Sequence, residues 1–71
     1  MYLARGIAYA RHGDFARAEP DLLRATELAP GSSDAWTNLA RLQNLTGQRE
    51  RAAESRRRAE AIGARSEAAA P

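Results

Sequence analysis

The chain has 71 residues, so it forms one small domain or part of a larger one. Hydrophobic residues make up 44% of it, but 17 of them are alanine and only 14 are larger, of which Ile62 alone lies beyond Leu45; so thin a core calls for a staple or a neighbour. With no cysteine and one histidine the chain builds neither a disulfide nor an ordinary zinc site, and its net charge of +2 is uneven, four arginines against five acids in residues 1–35 and seven against four in 36–71.

No run approaches the ~20 apolar residues of a membrane span. The N-terminus lacks the charged, apolar, small-residue order of a signal peptide. The chain is therefore read as soluble and cytoplasmic, with no cofactor.

Met1 to Arg11 is rich in helix formers with one apolar side, and Gly13-Asp14 breaks it, the glycine suited to a left-handed helix end. A second helical run, Phe15 to Ala29, stops at Pro30-Gly31. Pro20 lies about six residues into that run, where it removes a backbone bond and crowds the preceding turn at a cost of ~3 kcal/mol, so a kink or a late start is expected. Ser32, Ser33 and Asp34 are N-cap candidates for a third helix ending near Thr46. Gly47 breaks again, and a fourth helix is expected over Gln48 to Ile62 with Gly63 as its C-cap. The remaining stretch, 64–71, has nothing to pack and reads as a disordered tail.

Shifted against itself by 34 residues, the chain superposes Gly13 on Gly47, Ala18 on Ala52 and Ala25 on Ala59. Tyr2 falls on Trp36, Gly6 on Ala40 and Leu28 on Ile62. The matches are the turn glycines, the small residues and the aromatic near each unit's start. A period of this size points to stacked helical units. Two antiparallel helices joined by a short turn must cross closely. Gly6, Ala18, Ala25, Ala40, Ala52 and Ala59 keep the crossing tight, while Tyr2, Tyr9, Trp36 and Leu39 fill around it.

Tyr2, Gly6, Tyr9, Gly13, Phe15, Ala18, Leu22, Ala25 and Pro30 in the first unit, and Trp36, Leu39, Ala40, Gly47, Ala52 and Ala59 in the second, resemble the tetratricopeptide repeat. The resemblance covers about residues 1–64. It implies an all-α fold of two helix–turn–helix repeats, residues 1–32 and 33–63, with four antiparallel helices in an open right-handed α-solenoid stack.

Several positions depart from the pattern. Arg5 stands where the second unit has Leu39, and Arg49 and Arg56 stand where the first has Phe15 and Leu22. The latter two positions usually receive the next unit's first helix, so the fourth helix reads as a polar cap. Met1 falls inside the first helix with no N-cap before it, which suits either a natural start or a piece of a longer repeat protein. Two units are fewer than the about three usually needed for stability. The expectation is a marginal monomer, self-association through the first helix, or further repeats upstream.

In function the resemblance implies a non-catalytic protein-interaction module whose first helices line a concave groove for a peptide or partner helix. That face carries Leu3, Ile7 and Arg11 from one unit and Asp34, Thr37, Asn38, Arg41, Asn44 and Leu45 from the other, sharing a helical side by their spacing of three and four. One subgroup of the family grips a C-terminal carboxylate with lysines and asparagines spread over three repeats. Asn38 matches one of these, but Leu3 and Ile7 stand at basic and amide positions, so no such clamp is expected. The alternative function is an arginine-mediated binder of nucleic acid or an anionic surface through residues 49–58. Against it, Glu50 and Glu54 are placed to pair with the arginines, and no aromatic is interleaved for base stacking. His12 has no serine or cysteine nucleophile beside it and reads as a turn residue. Trp36 reads as core.

Overall fold

The computed structural model describes residues 1–69, with side chains described through Arg65. Four helices follow one another: α1 (Tyr2–Arg11), α2 (Phe15–Leu28), α3 (Ser33–Leu45) and α4 (Arg49–Ala69). No strand occurs among the described residues.

The turn closing each helical pair is the same structure built twice. His12 and Thr46 are the C-caps of α1 and α3, followed by Gly13 at φ 78° and Gly47 at φ 80°. In the first turn the Gly13 N–H donates to the Ala10 carbonyl (3.0 Å) and the Asp14 N–H to Tyr9 (2.9 Å). In the second, Gly47 donates to Asn44 (3.2 Å) and Gln48 to Gln43 (2.7 Å). These paired bonds satisfy carbonyls that the helix end leaves open, and the left-handed residue they require is glycine in both units.

Each following helix then begins at a defined residue. The Asp14 carboxylate accepts from the Arg17 N–H at 3.2 Å and caps α2. Of the three candidates ahead of α3, Ser32 takes the role, its hydroxyl accepting from the Ala35 N–H at 3.3 Å.

The late start allowed for at Pro20 and the cap expected at Gly63 do not occur. α2 starts at Phe15 and runs unbroken through Pro20, so the late start does not occur. The proline ring and Ala16, whose carbonyl loses its donor, both lie on the exposed side, where water takes up the open acceptor. Gly63 does not cap α4 either: its φ is not positive and the helix continues to Ala69. One glycine costs about 1 kcal/mol in a helix, and Ala61 and Ala64, within two residues of it, are the best helix formers. Of the tail expected over 64–71, residues 64–69 thus continue α4, and 70–71 lie outside the described residues.

The small residues stand at the helix crossings. Ala18, Ala25, Ala40, Ala52 and Ala59 are all buried. Gly6 is buried too, and a Cβ placed on it would lie 2.8 Å from Leu22 Cδ2 and 3.2 Å from Asp21 Cβ. The core is the α2–α3 seam, where Ala18 and Leu22 meet Leu39 and Leu42, with Leu3, Ile7, Tyr9, Phe15 and Trp36 packed partly buried around it. Each fully buried leucine contributes on the order of 2 kcal/mol. α1 packs on α2 and more lightly on α3; α4 packs on α3 alone among the described residues. The Trp36 indole N–H donates to the Pro30 carbonyl at 2.9 Å, tying the α2–α3 connection to the second unit.

Candidate functional site

Because α2 packs against both α1 and α3, those two helices lie side by side on one face of the stack. Their facing residues recur every third or fourth position, which turns each row toward the gap. The gap is a shallow groove of about 170 Å³ lined by Ile7, Ala10 and Arg11 of α1 and Asn38, Arg41, Leu42 and Leu45 of α3, with the buried Leu22 of α2 as its floor. Five of the residues expected at a partner-binding face therefore meet: Ile7, Arg11, Asn38, Arg41 and Leu45. Leu3, one turn before Ile7 on α1, lines a second hollow of about 210 Å³ with Tyr2, Ala25, Leu28 and Ala35. Asp34, Thr37 and Asn44 are exposed and line neither hollow.

The groove's polarity is divided. Leu22 and Leu42 make an apolar floor, Leu45 stands 65% exposed at its lip, and the two arginines are exposed. Among the described residues Arg11 and Arg41 have no acidic partner, whereas Arg5, Arg17, Arg24, Arg56 and Arg58 each have one. Asn38 is less free than its sequence position suggests. Its amide Nδ2 donates to the Asp34 carbonyl one turn back at 2.8 Å, leaving one N–H and the amide oxygen for a ligand.

The basic run on α4 is largely engaged with its own helix. Arg58 pairs with Glu54 (3.4 Å) and lies 5.1 Å over the Trp36 ring; Arg56 faces Glu60 at 3.9 Å. Arg57 donates to the Ala53 carbonyl and Arg51 to the Gln48 amide oxygen. Glu54 pairs as its spacing suggests; the second acid to do so is Glu60 in place of Glu50. Trp36 is half-buried against the core, its exposed face covered by Arg58. His12 is the C-cap of α1 and its Nδ1–H donates to the Ala8 carbonyl at 2.8 Å, a turn contact with no nucleophile in it. Among the described residues no cluster of histidine and carboxylates is arranged to hold a metal ion, and no helix is long and apolar enough to cross a membrane.

Two polar contacts between helices, each with at least one buried member, escape sequence reasoning. Arg5 grips Asp21 with two parallel bonds, Nε to Oδ2 and Nη2 to Oδ1, both 2.8 Å, joining α1 to α2. The hydrogen bonds from Arg5 hold the Asp21 carboxyl below its ordinary range although burial opposes this, and the same contact raises the arginine's own pKa. In the second unit the Ser55 hydroxyl donates to the Gln43 amide oxygen at 2.7 Å, joining α3 to α4. The 34-residue register aligns only one member of each pair: Asp21 falls on Ser55, whereas Arg5 falls on Leu39 and Gln43 on Tyr9.

No match is found among curated proteins or among solved structures. Residues 1–42, which span α1, α2 and most of α3, match the tetratricopeptide repeat family. That is more than half of the 71 residues, and it covers one complete helical pair with the first helix of the next. The chain belongs to the tetratricopeptide repeat family.

Proposed function

We propose that the chain is a non-catalytic protein-interaction module that holds a peptide or partner helix in the groove between α1 and α3. The observation that carries this reading is the meeting of Ile7 and Arg11 from one unit with Asn38, Arg41 and Leu45 from the other along a single groove. Family membership supports it, since tetratricopeptide repeats serve as protein-binding scaffolds. Apolar floor and polar rim together match the anatomy of a protein interface.

Partners selected on the immobilised chain test the reading. Their binding should fall with Asn38→Ala or Arg41→Ala and be indifferent to replacing Arg56, Arg57 and Arg58 by glutamine. The opposite pattern, with affinity collapsing steeply as salt rises, would instead establish the α4 arginines as a phosphate-binding surface.

A further inference from the structure

Resting on the reading of the α1–α3 groove as a partner site, we infer the chemistry of its ligand: an extended segment carrying an apolar side chain and, four positions away, an acidic one. Three observations lead there. Leu3, Ile7 and Arg11 stand on successive turns of α1, so the Leu3 hollow and the groove holding Arg11 follow one another along that helix, and we take them as the two ends of one trough. Its two ends differ. At the Leu3 end Leu3, Ala25, Leu28 and Ala35 form an aliphatic seat edged by Met1, Tyr2 and Ser32, with no charged side chain. At the other end stand Arg11 and Arg41, two cations with no acidic partner among the described residues, while most of the other arginines are paired or hydrogen-bonded. Asp34 is the acid nearest Asn38 on α3, but it lies two turns before Arg41, and Asn38 bonds its backbone.

The trough also sets the spacing. From Leu3 to Arg11 is eight residues of helix, about 12 Å at ~1.5 Å per residue. Hollows of about 210 and 170 Å³ are each sized for side chains, which an extended segment can fill one after the other. An extended chain advances ~3.3 Å per residue and turns alternate side chains to one face. Residues i and i+4 then share a face at about 13 Å, which matches the trough. Separations of three or five residues put the second side chain on the wrong face.

The test is a titration of the isotopically labelled full chain with ten-residue peptides, followed by amide chemical shifts. Each peptide carries one leucine and, three, four or five positions away, a glutamate, a glutamine or a lysine. The leucine–glutamate peptide at separation four should bind tightest and shift amides along α1 and α3. Arg11→Gln or Arg41→Gln should weaken it, each by up to about fivefold at low salt, and bring it level with the glutamine peptide. Both arginines are exposed and unpaired, so these variants keep the fold, which circular dichroism checks. Equal shifts from the glutamine peptide, or preference for lysine, would overturn the inference and leave the groove standing as a partner site. Indifference to separation would overturn the extended geometry and with it the proposal. Shifts confined to α4 would overturn both proposal and groove. No shift from any peptide at millimolar concentration would overturn the ligand chemistry proposed here, while partner selection on the immobilised chain tests the groove separately.

Discussion

The two helical pairs share their turns and their small-residue crossings, yet they are pinned by different chemistry. In the first, Arg5 and Asp21 join α1 to α2 through a bidentate ion pair whose carboxylate is buried. In the second, the register-equivalent of Asp21 is Ser55, and it joins α4 to α3 through the amide of Gln43. Backbone geometry is repeated where only glycine or alanine meets the need, whereas the polar pin is free to vary so long as both partners change. A buried hydroxyl–amide bond is neutral and holds at any pH; a carboxylate–guanidinium pair depends on ionisation. The pairs therefore respond to different perturbations.

Removing what they share has the largest expected effect. Leu22 lies under Gly6, packs on Leu39 and Leu42 and floors the groove. Leu22→Ala should cost about 3 kcal/mol, and in so small a domain urea unfolding should show most of the molecules unfolded. Next comes the asymmetry of the crossings. Gly6→Ala drives a methyl into Leu22, itself held at 1% exposure, and should cost about 1–3 kcal/mol. The reverse exchange at the same register, Ala40→Gly, opens no clash and should cost about 1–2 kcal/mol, through helix propensity and the loss of one buried methyl. If both exchanges prove equal, the closer approach in the first unit is not what holds it.

The pins themselves are compared by a smaller pair of changes. Ser55→Ala leaves the buried Gln43 oxygen without its donor and should cost about 1–2 kcal/mol, unchanged between pH 3 and 7. Asp21→Asn should destabilise less and reveal itself through pH. Its carboxyl titrates lower folded than unfolded, so its contribution is complete above the ordinary aspartate value near ~4 and is lost as pH falls through the depressed one. Acid titration of the wild type should therefore show a loss of stability that the variant lacks. An identical acid profile in both would remove Asp21 as its source. The smallest effect belongs to the exposed pair on α4: Arg58→Ala loses the contacts with Glu54 and the Trp36 ring and should cost under ~1 kcal/mol, visible mainly as altered tryptophan fluorescence.

What the sequence makes legible follows from range. Gly13 and Gly47 announce their turns because a left-handed residue is a local demand, and the alanine spacing gives the crossings because a helix has a fixed period. The groove is readable in outline, since Ile7, Arg11, Asn38, Arg41 and Leu45 each lie on the predictable side of a helix. Asp34, Thr37 and Asn44 share that side by spacing but fall outside the hollow, because three- and four-residue steps define a broad stripe and only its centre faces the neighbouring helix. The Arg5–Asp21 contact spans sixteen residues and joins two helices, so no local pattern encodes it. The late start allowed for at Pro20 and the cap expected at Gly63 mislead for the opposite reason. Each carries a strong local signal, and each is overruled by its surroundings: the cap at Asp14 with the packed face of α2, and the helix formers Ala61 and Ala64 near Gly63.

That α4, among the described residues, packs on α3 alone has a kinetic meaning. A helix with a single neighbour can detach without disturbing the rest, so its opening free energy is lower than that of α2, which is clasped on two sides. Hydrogen exchange should accordingly find two protection classes, with the amides of α4 exchanging through a partial opening and those of α2 only through global unfolding. Since α4 lines no part of the trough, such excursions uncover one flank of α3 while the opposite flank, where a ligand would lie, keeps its shape.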